Sequence, residues 1–355
     1  MNLKPLGAGG PLVSSLGLGT WGYGGFFESD HSCDNFFIDL IRSAVDLGIT
    51  FIDTAEAYGE GHCEEIIGRA IRGIRDNIFI ATKVSPEHLS GRDVVRAAEN
   101  SLIRLGVDWI DLYQIHWPNP LIPLEQTIES MNRLIEQGKI RYIGVSNFSP
   151  AKLVHAAELS STPVLSVQTE YNLFDRSAET TLLPLCEKQG IALIAYSPLD
   201  QGRSLSTHQQ CNLLRDIADG HGRTVSQVIL NWIASHGPVI PIPRTMKSEH
   251  LHKNAESLDF KLSDEEISLI SKAFPFSPLF IPVEQIIVDD KGLHNFTPGP
   301  AELAMDIRAG DPLKPIRVTP SETEFGKYTL IEGKLRYWAW VHAHSGRLPV
   351  PALVR

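Results

Sequence analysis

Short apolar runs alternate with longer amphipathic segments over most of this 355-residue chain. The segments between the short runs have the helical period, as in GRDVVRAAENSLIRLG (91–106) and PLEQTIESMNRLIEQGK (123–139). The short runs predict strands at LGLGT (16–20), TFIDTA (50–55), NIFIATKV (77–84), DLYQIHW (111–117), RYIGVSNF (141–148), VLSVQTEYN (164–172), IALIAYSPL (191–199) and PVIPIP (238–243). Eight strand–helix units predict an α/β fold in which a parallel sheet closes into a (β/α)8 barrel.

Glycines support this pattern at the ends of the predicted helices. Gly48, Gly106, Gly138 and Gly190 each precede a predicted strand, where a helix ends most easily on a left-handed residue. The initial stretch, KPLGAGGPLVSSLGLG, predicts a glycine-turned hairpin that plugs the bottom of the barrel.

The pattern changes after SDEEISLISKAF (263–274), where a Pro-rich stretch interrupts the alternation. The elements that follow are predicted strands at IPVEQIIV, KPIRVTP, YTLIEG and LPVPALV, and predicted helices at PAELAMDIRAG and KLRYWAWVHAHSG. We therefore predict two domains, a barrel over residues 1–276 and a small α+β unit over residues 277–355.

Composition and charge are those of an ordinary globular protein, with 43% hydrophobic and 21% charged residues. The net charge of −10 gives no general attraction to nucleic acid or to an anionic membrane. No apolar run has the length of a signal peptide or a membrane span. The cysteines are scattered, without a C-x-x-C pair or a histidine at ligand spacing, so we predict a cytoplasmic protein with reduced thiols and no metal site.

Four polar residues stand at or just after predicted strand ends, where barrels of this kind build their active sites. They are Asp53, Tyr58 in DTAEAYG, Lys83 in ATKV and His116 in LYQIHWP. A phenol has a pKa of about 10, and we expect the Lys83 ammonium to lower it while Asp53 keeps the lysine charged and oriented. His116 is expected to hydrogen-bond a substrate oxygen, although a lone strand-end histidine is more often structural. Such a site suits protonation of a carbonyl oxygen while hydride arrives at carbon.

Six motifs occur in order at the predicted strand ends: F-I-D-T-A-x-x-Y-G, A-T-K-V, I-H-W, G-V-S-N-F, V-Q-x-E-Y-N and A-Y-S-P-L. In these motifs the chain resembles the aldo-keto reductase family from about residue 3 to residue 274. The resemblance implies a TIM barrel that binds NADP(H) and reduces an aldehyde or ketone. It also implies a catalytic tetrad of Asp53, Tyr58, Lys83 and His116, with Tyr58 as the proton donor.

The same resemblance implies a set of cofactor contacts. The residues expected to contact NADP(H) are Gly19, Thr20, Trp21, Asp53, Ser146, Asn147, Gln168, Tyr196, Ser197, Leu199, Arg244, Thr245, His250 and Asn254. Among these, Ser146, Asn147 and Gln168 are expected to hydrogen-bond the carboxamide. Tyr196 is expected to stack on the nicotinamide, and the AYSPL strand end to lead into the pyrophosphate loop.

The adenosine end departs from the family pattern at two positions. Arg244 and Lys253 are cations able to pair with a 2′-phosphate, which favours NADPH over NADH. However, His250 replaces the usual Arg or Gln, and Lys253 replaces the usual Glu. A solvated surface charge is the alternative role for Arg244.

The stretch GLGTWG (17–22) satisfies G-x-G-x-x-G, the dinucleotide-binding pattern. No helix is predicted directly after it, and Asp53 lies too far along the chain to serve as the ribose-binding acid. We therefore interpret it as a strand end whose glycines let the backbone approach the nicotinamide. The residues expected to line the substrate pocket are Trp21, Tyr58, His116 and Trp117, with simple packing as the alternative role of both tryptophans.

Residues 281–353 resemble the ParB/sulfiredoxin-like nucleotide-binding domain. The resemblance rests on I-P-V-E-Q-I, E-L-A-x-x-I-x-x-G, P-I-x-V, Y-T-L-I-E-G-K-L-R-Y-W-A and L-P-V-P. It implies nucleotide contacts from Gly333, Lys334 and Arg336, although Lys334 replaces the reactive cysteine of sulfiredoxins and so excludes sulfinic acid repair. The alternative is an amphipathic helix whose Trp338 and Val341 face a core. No helix-turn-helix follows, so we expect no specific DNA binding.

These observations predict an NADPH-dependent reductase of a small-molecule carbonyl, fused to a candidate nucleotide-binding unit. The fusion favours a phosphorylated or nucleotide-linked carbonyl as the substrate. The alternative is an NADP(H)-binding redox-sensing or regulatory partner protein with little turnover.

Overall fold

The structure, a computed structural model, describes residues 1–202, 211–289 and 297–354. The chain divides into two compact units. The first comprises Met1–Pro118 and Leu124–Pro275, and the second comprises Asn119–Pro123 and Phe276–Arg355.

The first unit contains a hairpin followed by a parallel eight-stranded sheet whose strands are in sequence order. Its strands are β1 (Leu3–Pro5), β2 (Leu12–Ser14), β3 (Leu18–Gly19), β4 (Phe51–Asp53), β5 (Phe79–Val84), β6 (Ile110–Ile115), β7 (Ile140–Ser146), β8 (Val164–Glu170), β9 (Ala192–Tyr196) and β10 (Val239–Pro241). Its helices are α1 (Asp34–Asp46), α2 (His62–Ala70), α3 (Gly91–Leu105), α4 (Leu124–Glu136), α5 (Pro150–Leu159), α6 (Leu182–Gln189), α7 (Cys211–Gly220), α8 (Val225–Ala234), α9 (Ser248–Ala255) and α10 (Asp264–Ala273). The predicted alternation of strands and helices is confirmed.

Backbone hydrogen bonds close this sheet between its first and last strands. The Gly17 N–H donates to the Pro241 carbonyl at 2.9 Å, and the Gly19 N–H donates to the Pro243 carbonyl at 3.2 Å. A β-carbon on Gly19 would lie 2.8 Å from the Ile242 carbonyl oxygen, so the close approach requires a glycine there. The curled, closed parallel sheet is consistent with the predicted TIM barrel.

The closure also explains GLGTWG. Strand β3 is only two residues long, and the next helix begins at Asp34 after a long loop. A dinucleotide-binding turn needs a helix directly after its glycines, so the interpretation as a strand end is confirmed.

The initial hairpin fills one end of the barrel, as the sequence predicts. β1 and β2 pair antiparallel. Leu6 and Val13, from its turn and second strand, are buried in one cluster with the barrel residues Phe51 and Leu112. Full burial of a leucine side chain stabilises a fold by about 1.5–3 kcal/mol, so this plug contributes to the core of the first unit.

Helix ends follow the predicted glycines. Gly48, Gly106, Gly138 and Gly190 have φ values of 82°, 64°, 71° and 69°. These left-handed conformations end α1, α3, α4 and α6, because glycine adopts them without a β-carbon clash. None of the helices in the described ranges combines the length and apolar character needed to cross a membrane.

The second unit contains a mixed five-stranded sheet in the order β11-β15-β13-β14-β12. Its elements are β11 (Leu279–Ile281), β12 (Ile286–Ile287), α11 (Pro300–Arg308), β13 (Ile316–Pro320), β14 (Tyr328–Glu332), α12 (Lys334–His344) and β15 (Val350–Val354). The prediction of one strand over IPVEQIIV is wrong. Pro282 has no N–H to donate, and a 3-10 turn at Val283–Gln285 separates two short strands.

An apolar cluster forms the core of this second unit. Ile316, Val318 and Tyr337 are buried in it. Trp338 and Val341 pack against the same cluster, as the amphipathic-helix interpretation of α12 predicts.

Candidate active site

The four predicted catalytic residues come together at the C-terminal ends of neighbouring barrel strands. Asp53 ends β4, Lys83 is the penultimate residue of β5, and His116 directly follows β6. Tyr58 begins a 3-10 turn at Tyr58–Gly61, in the loop after β4. Asp53, Lys83 and Tyr58 are buried, whereas His116 is half-buried.

Lys83 lies at the centre of this group and is fully buried, with 0% exposure. Its Nζ donates to Asp53 Oδ1 at 2.7 Å and to the Thr54 carbonyl at 2.8 Å. Its third hydrogen bond, at 3.2 Å, goes to the Tyr58 hydroxyl oxygen. An ammonium has three donors, so these contacts fix its position and direct one donor at the phenol.

The direction of the Tyr58 pKa differs from the sequence-based expectation. Burial raises the pKa of the Tyr58 hydroxyl well above its ordinary value, and the negative charge of Asp53 adds to this effect. The expectation that Lys83 lowers this pKa is therefore wrong for the resting site. The reason is that the ion pair with Asp53 offsets the lysine charge, so desolvation of the phenolate dominates. Tyr58 consequently keeps its proton at neutral pH.

His116 is a neutral imidazole in this setting. Burial, together with the positive charge of Lys83, lowers the pKa of His116 well below its ordinary value. Its ring lies edge-on to that of Tyr58, with 5.8 Å between the ring centroids. A neutral imidazole has one N–H to donate, which suits it to hydrogen-bond an uncharged carbonyl oxygen.

Two glutamines hold the second oxygen of Asp53. Gln168 Nε2 donates to Asp53 Oδ2 at 2.7 Å, and Gln114 Nε2 donates to the same atom at 3.4 Å. Thr20 contacts the same residue, because its hydroxyl donates to the backbone carbonyl of Asp53 at 2.8 Å. Sequence reasoning missed Gln114, whose only signal is a buried polar side chain in strand β6, which also contains Asp111.

A cluster of aromatic side chains, centred on Trp21, lies beside the Tyr58 ring. The Trp21 ring meets the Tyr58 ring edge-on at 4.8 Å between centroids. Phe26 and Phe27 lie 5.8 and 5.5 Å from Trp21. Sequence reasoning missed both phenylalanines because they lie in a loop without periodicity. Trp117 is 46% exposed, directly after His116.

The three predicted carboxamide-binding residues lie near the C-terminal ends of β7 and β8 and are connected through Asn147, whose N–H donates to the Gln168 carbonyl at 2.8 Å. Asn147 has a left-handed backbone, with φ 61°. Its Nδ2 donates to Ser146 Oγ at 3.0 Å and to the His116 carbonyl at 3.1 Å. The Tyr196 hydroxyl donates to Asn147 Oδ1 at 3.0 Å. With Gln168, they form a set of hydroxyl and amide groups that complements a carboxamide, and the tethered, half-buried Tyr196 ring can offer a stacking face.

Four further predicted cofactor residues lie at or just after the ends of β3 and β9. Gly19 and Thr20 are buried where β3 ends. Ser197 follows β9 with φ 48°, and Leu199 is half-buried two residues later. Residues 203–210, where the predicted pyrophosphate loop continues, lie outside the described residues.

Arg244 and the predicted adenosine-binding residues lie after β10. The exposed Arg244 donates from Nη1 to the Trp21 carbonyl at 2.9 Å, and its guanidinium lies over the Phe26 ring. Thr245 and Asn254 are buried, whereas His250 is exposed. Lys253, the second predicted phosphate-binding cation, forms an ion pair with Glu249 at 2.6 Å.

The predicted nucleotide-binding residues of the second unit surround the start of α12. Gly333 precedes the helix with φ 97°, and Lys334 is its first residue. Arg336 Nη1 donates to the Pro315 carbonyl at 2.6 Å and to the Lys314 carbonyl at 3.3 Å. This nitrogen is thus held by the unit's own backbone.

Comparison with known proteins places this site in a family. The sequence model described as "Aldo/keto reductase family" matches residues 15–274. The chain is similar to the methylglyoxal reductase YeaE of Escherichia coli strain K12, with 36% identity over 270 residues that cover 76% of this chain and 93% of YeaE.

Solved structures show the same relationship. The thermostable aldo-keto reductase Tm1743, solved with the inhibitor epalrestat, is 45% identical with a TM-score of 0.75, and the match covers 77% of this chain and 100% of that one. An aldo/keto reductase of Klebsiella pneumoniae, solved with NADP and acetate, is 35% identical with a TM-score of 0.71, over 78% of this chain and 96% of its own. The chain belongs to the aldo/keto reductase family.

Proposed function

We propose that the protein reduces an aldehyde or ketone to an alcohol with NADPH, and that Tyr58 supplies the proton. The observation that carries this proposal is the position of Lys83, whose Nζ is 2.7 Å from Asp53 and 3.2 Å from the Tyr58 hydroxyl. The cofactor is NADP(H), in agreement with the Klebsiella pneumoniae relatives, which were solved with NADP and with NADPH.

The residues at the strand ends fit this cofactor. Ser146, Asn147 and Gln168 would hold the carboxamide of the nicotinamide. Tyr196 would stack on the nicotinamide ring. Arg244 would pair with the 2′-phosphate after releasing the Trp21 carbonyl. When bound, NADPH supplies a hydride to the carbonyl carbon of the substrate.

The protein's own contribution is to position and stabilise the charges of proton transfer. Tyr58 is protonated at neutral pH and donates its hydroxyl proton to the substrate oxygen. Negative charge then develops on the phenolic oxygen, 3.2 Å from the Lys83 ammonium. In a dry site such a fixed charge stabilises the transition state more than it would in water. The neutral His116 donates a hydrogen bond that orients the substrate oxygen towards Tyr58.

Four side chains are the candidates for the substrate-binding wall. We propose that Trp21, Trp117, Tyr58 and His116 line the substrate pocket, as the family resemblance implies. Since YeaE is named a methylglyoxal reductase, methylglyoxal is the first substrate to test. A phosphorylated or nucleotide-linked carbonyl is the second, on the strength of the C-terminal unit alone.

The redox-sensing alternative is not favoured. A protein that only senses NADP(H) has no need of a buried lysine directed at a phenol. Here Lys83 contacts both Asp53 and Tyr58, and the His116 ring lies edge-on to that of Tyr58.

The ParB/sulfiredoxin-like assignment of the second unit and its nucleotide site at Gly333, Lys334 and Arg336 are separate proposals. The sequence pattern and the left-handed Gly333 before α12 support them. Against them stands Arg336 Nη1, which donates to two backbone carbonyls. Titration of the full chain with ATP, followed by tryptophan fluorescence, tests this proposal, and an unchanged signal would remove it.

The main test compares NADPH oxidation by the wild type and by Tyr58→Phe, with methylglyoxal and a panel of aldehydes and ketones. Loss of a general acid lowers kcat by about 10²–10⁴-fold, so the kcat of Tyr58→Phe should be lower than that of the wild type by this factor. Tyr142→Phe removes a hydroxyl from a tyrosine that packs against the barrel core, and should leave the rate unchanged. Equal rates in the wild type and Tyr58→Phe would refute the proton-donor role.

A further inference from the structure

A second group of chemically active side chains lies outside the tetrad. His31, on the loop between β3 and α1, meets Asp34 at the start of α1 and His62 at the start of α2. One ligand atom from each, two imidazole nitrogens and a carboxylate oxygen, lie within 4.8 Å of one another. The imidazole rings are close, with 3.8 Å between their centroids.

His62 is held in the orientation that a metal ligand needs. It is 5% exposed, and its ring lies where a β-carbon on Gly24 would be 2.7 Å from Cδ2. Nδ1 contacts Glu65 Oε2 at 2.9 Å, and Nε2 contacts Asp34 Oδ1 at 2.8 Å. Metal-bound histidines usually donate their second ring N–H to a carboxylate, which fixes the tautomer. Glu65 is in that position.

The local charge favours a cation. Asp30, Asp34 and Glu65 stand against one guanidinium, that of Arg69, which leaves two formal negative charges around the histidines. Arg69 Nη1 donates to Asp34 Oδ2 at 2.6 Å, so this oxygen is engaged while Oδ1 faces His62. A metal would therefore bind Oδ1 and leave the Arg69 contact intact.

We propose that His31, Asp34 and His62 bind a divalent transition-metal ion of the zinc class. Two imidazoles and one carboxylate match the ligand preference of Zn²⁺, and water would complete a tetrahedron. Ligand atoms around zinc lie about 3.3 Å apart, as bonds of about 2.0–2.2 Å dictate. The cluster must therefore rearrange slightly: His62 Nε2 and Asp34 Oδ1 separate from their present 2.8 Å, and the exposed His31, with 66% of its side chain accessible, adjusts to them. His62 releases its Nε2 proton to water as the metal binds.

Such an ion would join two parts of the substrate wall. The loop that carries His31 also carries Phe26 and Phe27, and His62 follows Tyr58 by four residues. The Phe26 carbonyl already accepts a hydrogen bond from the Gly59 N–H at 3.1 Å. Metal binding would tie this loop to α2 at a second point, without contact with the tetrad.

The test is calorimetric titration of the full-length protein with ZnCl₂ in a buffer that does not bind zinc. All proteins carry Cys33→Ser, because the thiol of Cys33 is exposed beside the cluster. We expect one zinc ion per chain and a rise in melting temperature. His31→Ala should weaken binding by at least tenfold, and Glu65→Gln should weaken it by about 10–100-fold, as changes behind a metal ligand do.

His155→Ala is the matched control. His155 is another accessible histidine beside carboxylates, 3.1 Å from Glu125, but it is not part of the cluster. It should bind zinc as the parent does. Equal affinity in His31→Ala and His155→Ala, or no zinc binding by the parent, would overturn the proposal. Because binding is measured without substrate or cofactor, the result does not depend on the reductase activity.

Discussion

Two cations of this molecule, Lys83 in the first unit and Arg336 in the second, are held in different ways. Lys83 forms an ion pair with Asp53 and directs its remaining donor at the Tyr58 hydroxyl, a group that can give up a proton. Arg336 Nη1 donates to the backbone carbonyls of Lys314 and Pro315, which do not change charge, and Nη2 lies 3.7 Å from Glu332 Oε1. Both residues satisfy a motif, yet the geometry of only the first suits catalysis. The comparison teaches that a cation in a sequence motif indicates catalysis when it donates to a group that changes its charge during the reaction, as the Tyr58 hydroxyl does.

The largest expected effect is that of Lys83→Met. Removing the ammonium leaves Asp53 buried and unpaired, which costs about 3–5 kcal/mol of unfolding free energy. It also removes the charge that stabilises the developing phenolate, so kcat should fall by about 10²–10⁴-fold. Urea unfolding and NADPH oxidation measure the two effects.

Lys139→Met is the control for this change, since Lys139 pairs with Glu99 at 2.7 Å on the surface. An exposed pair contributes about 0–1 kcal/mol, so this variant should unfold nearly as the parent does. If Lys83→Met kept the full kcat, the catalytic role that distinguishes Lys83 from Arg336 would be refuted.

Arg244 is an intermediate case, because one of its donors holds the Trp21 carbonyl while its side chain is exposed. If it pairs with the 2′-phosphate, Arg244→Ala loses a charge-assisted hydrogen bond of about 1.5–3 kcal/mol. KM for NADPH should then rise by about tenfold or more, and KM for NADH should not change. Lys253→Ala, whose cation pairs with Glu249, should change the ratio of the two KM values less.

The pH dependence of kcat tests the raised pKa of Tyr58. A raised pKa means that the acid form persists up to and beyond pH of about 10, and the lowered pKa of His116 keeps that ring neutral well below pH of about 6.5. The rate of carbonyl reduction should therefore vary less than about twofold between pH 6.5 and 9.5. An alkaline limb near pH 7 to 8 would instead show that Lys83 lowers the pKa of Tyr58.

The smallest effect on activity is expected from Arg336→Ala. It should leave kcat and KM for NADPH as they are, while the loss of hydrogen bonds to Pro315 and Lys314 lowers stability by about 1–3 kcal/mol. Differential scanning calorimetry and steady-state assays measure both. A matching loss of ATP binding would give Arg336 the role that its motif implies.

Much of the barrel and its tetrad can be predicted from sequence, because both depend on local signals. Strand ends follow apolar runs, and Asp53, Lys83 and His116 stand at those ends within short motifs. The break at Pro282 is an exception: the apolar pattern of IPVEQIIV predicts one strand, although a proline rarely continues a sheet ladder.

Other features depend on contacts between distant segments. The direction of the Tyr58 pKa follows from burial of the side chain and from the negative charge of Asp53, and a motif specifies neither the burial nor the balance of charges. The juxtaposition of His31 with His62 brings residues from different loops together, so ligand spacing in the sequence does not reveal it. Phe26 is a third case, because a loop without periodicity brings its ring to within 5.8 Å of the Trp21 ring.

The seam at which Gly17 pairs with Pro241 has a consequence for how the molecule is made. During synthesis on the ribosome, each of the strands β3 to β9 can pair with its neighbour in the sheet. The barrel cannot close until β10, which ends at Pro241, has emerged. Until then two strand edges are open to other chains, and such edges promote aggregation. A truncated chain that ends after β9 should therefore be insoluble. A chain that ends after α10 retains both sides of the seam and should remain soluble.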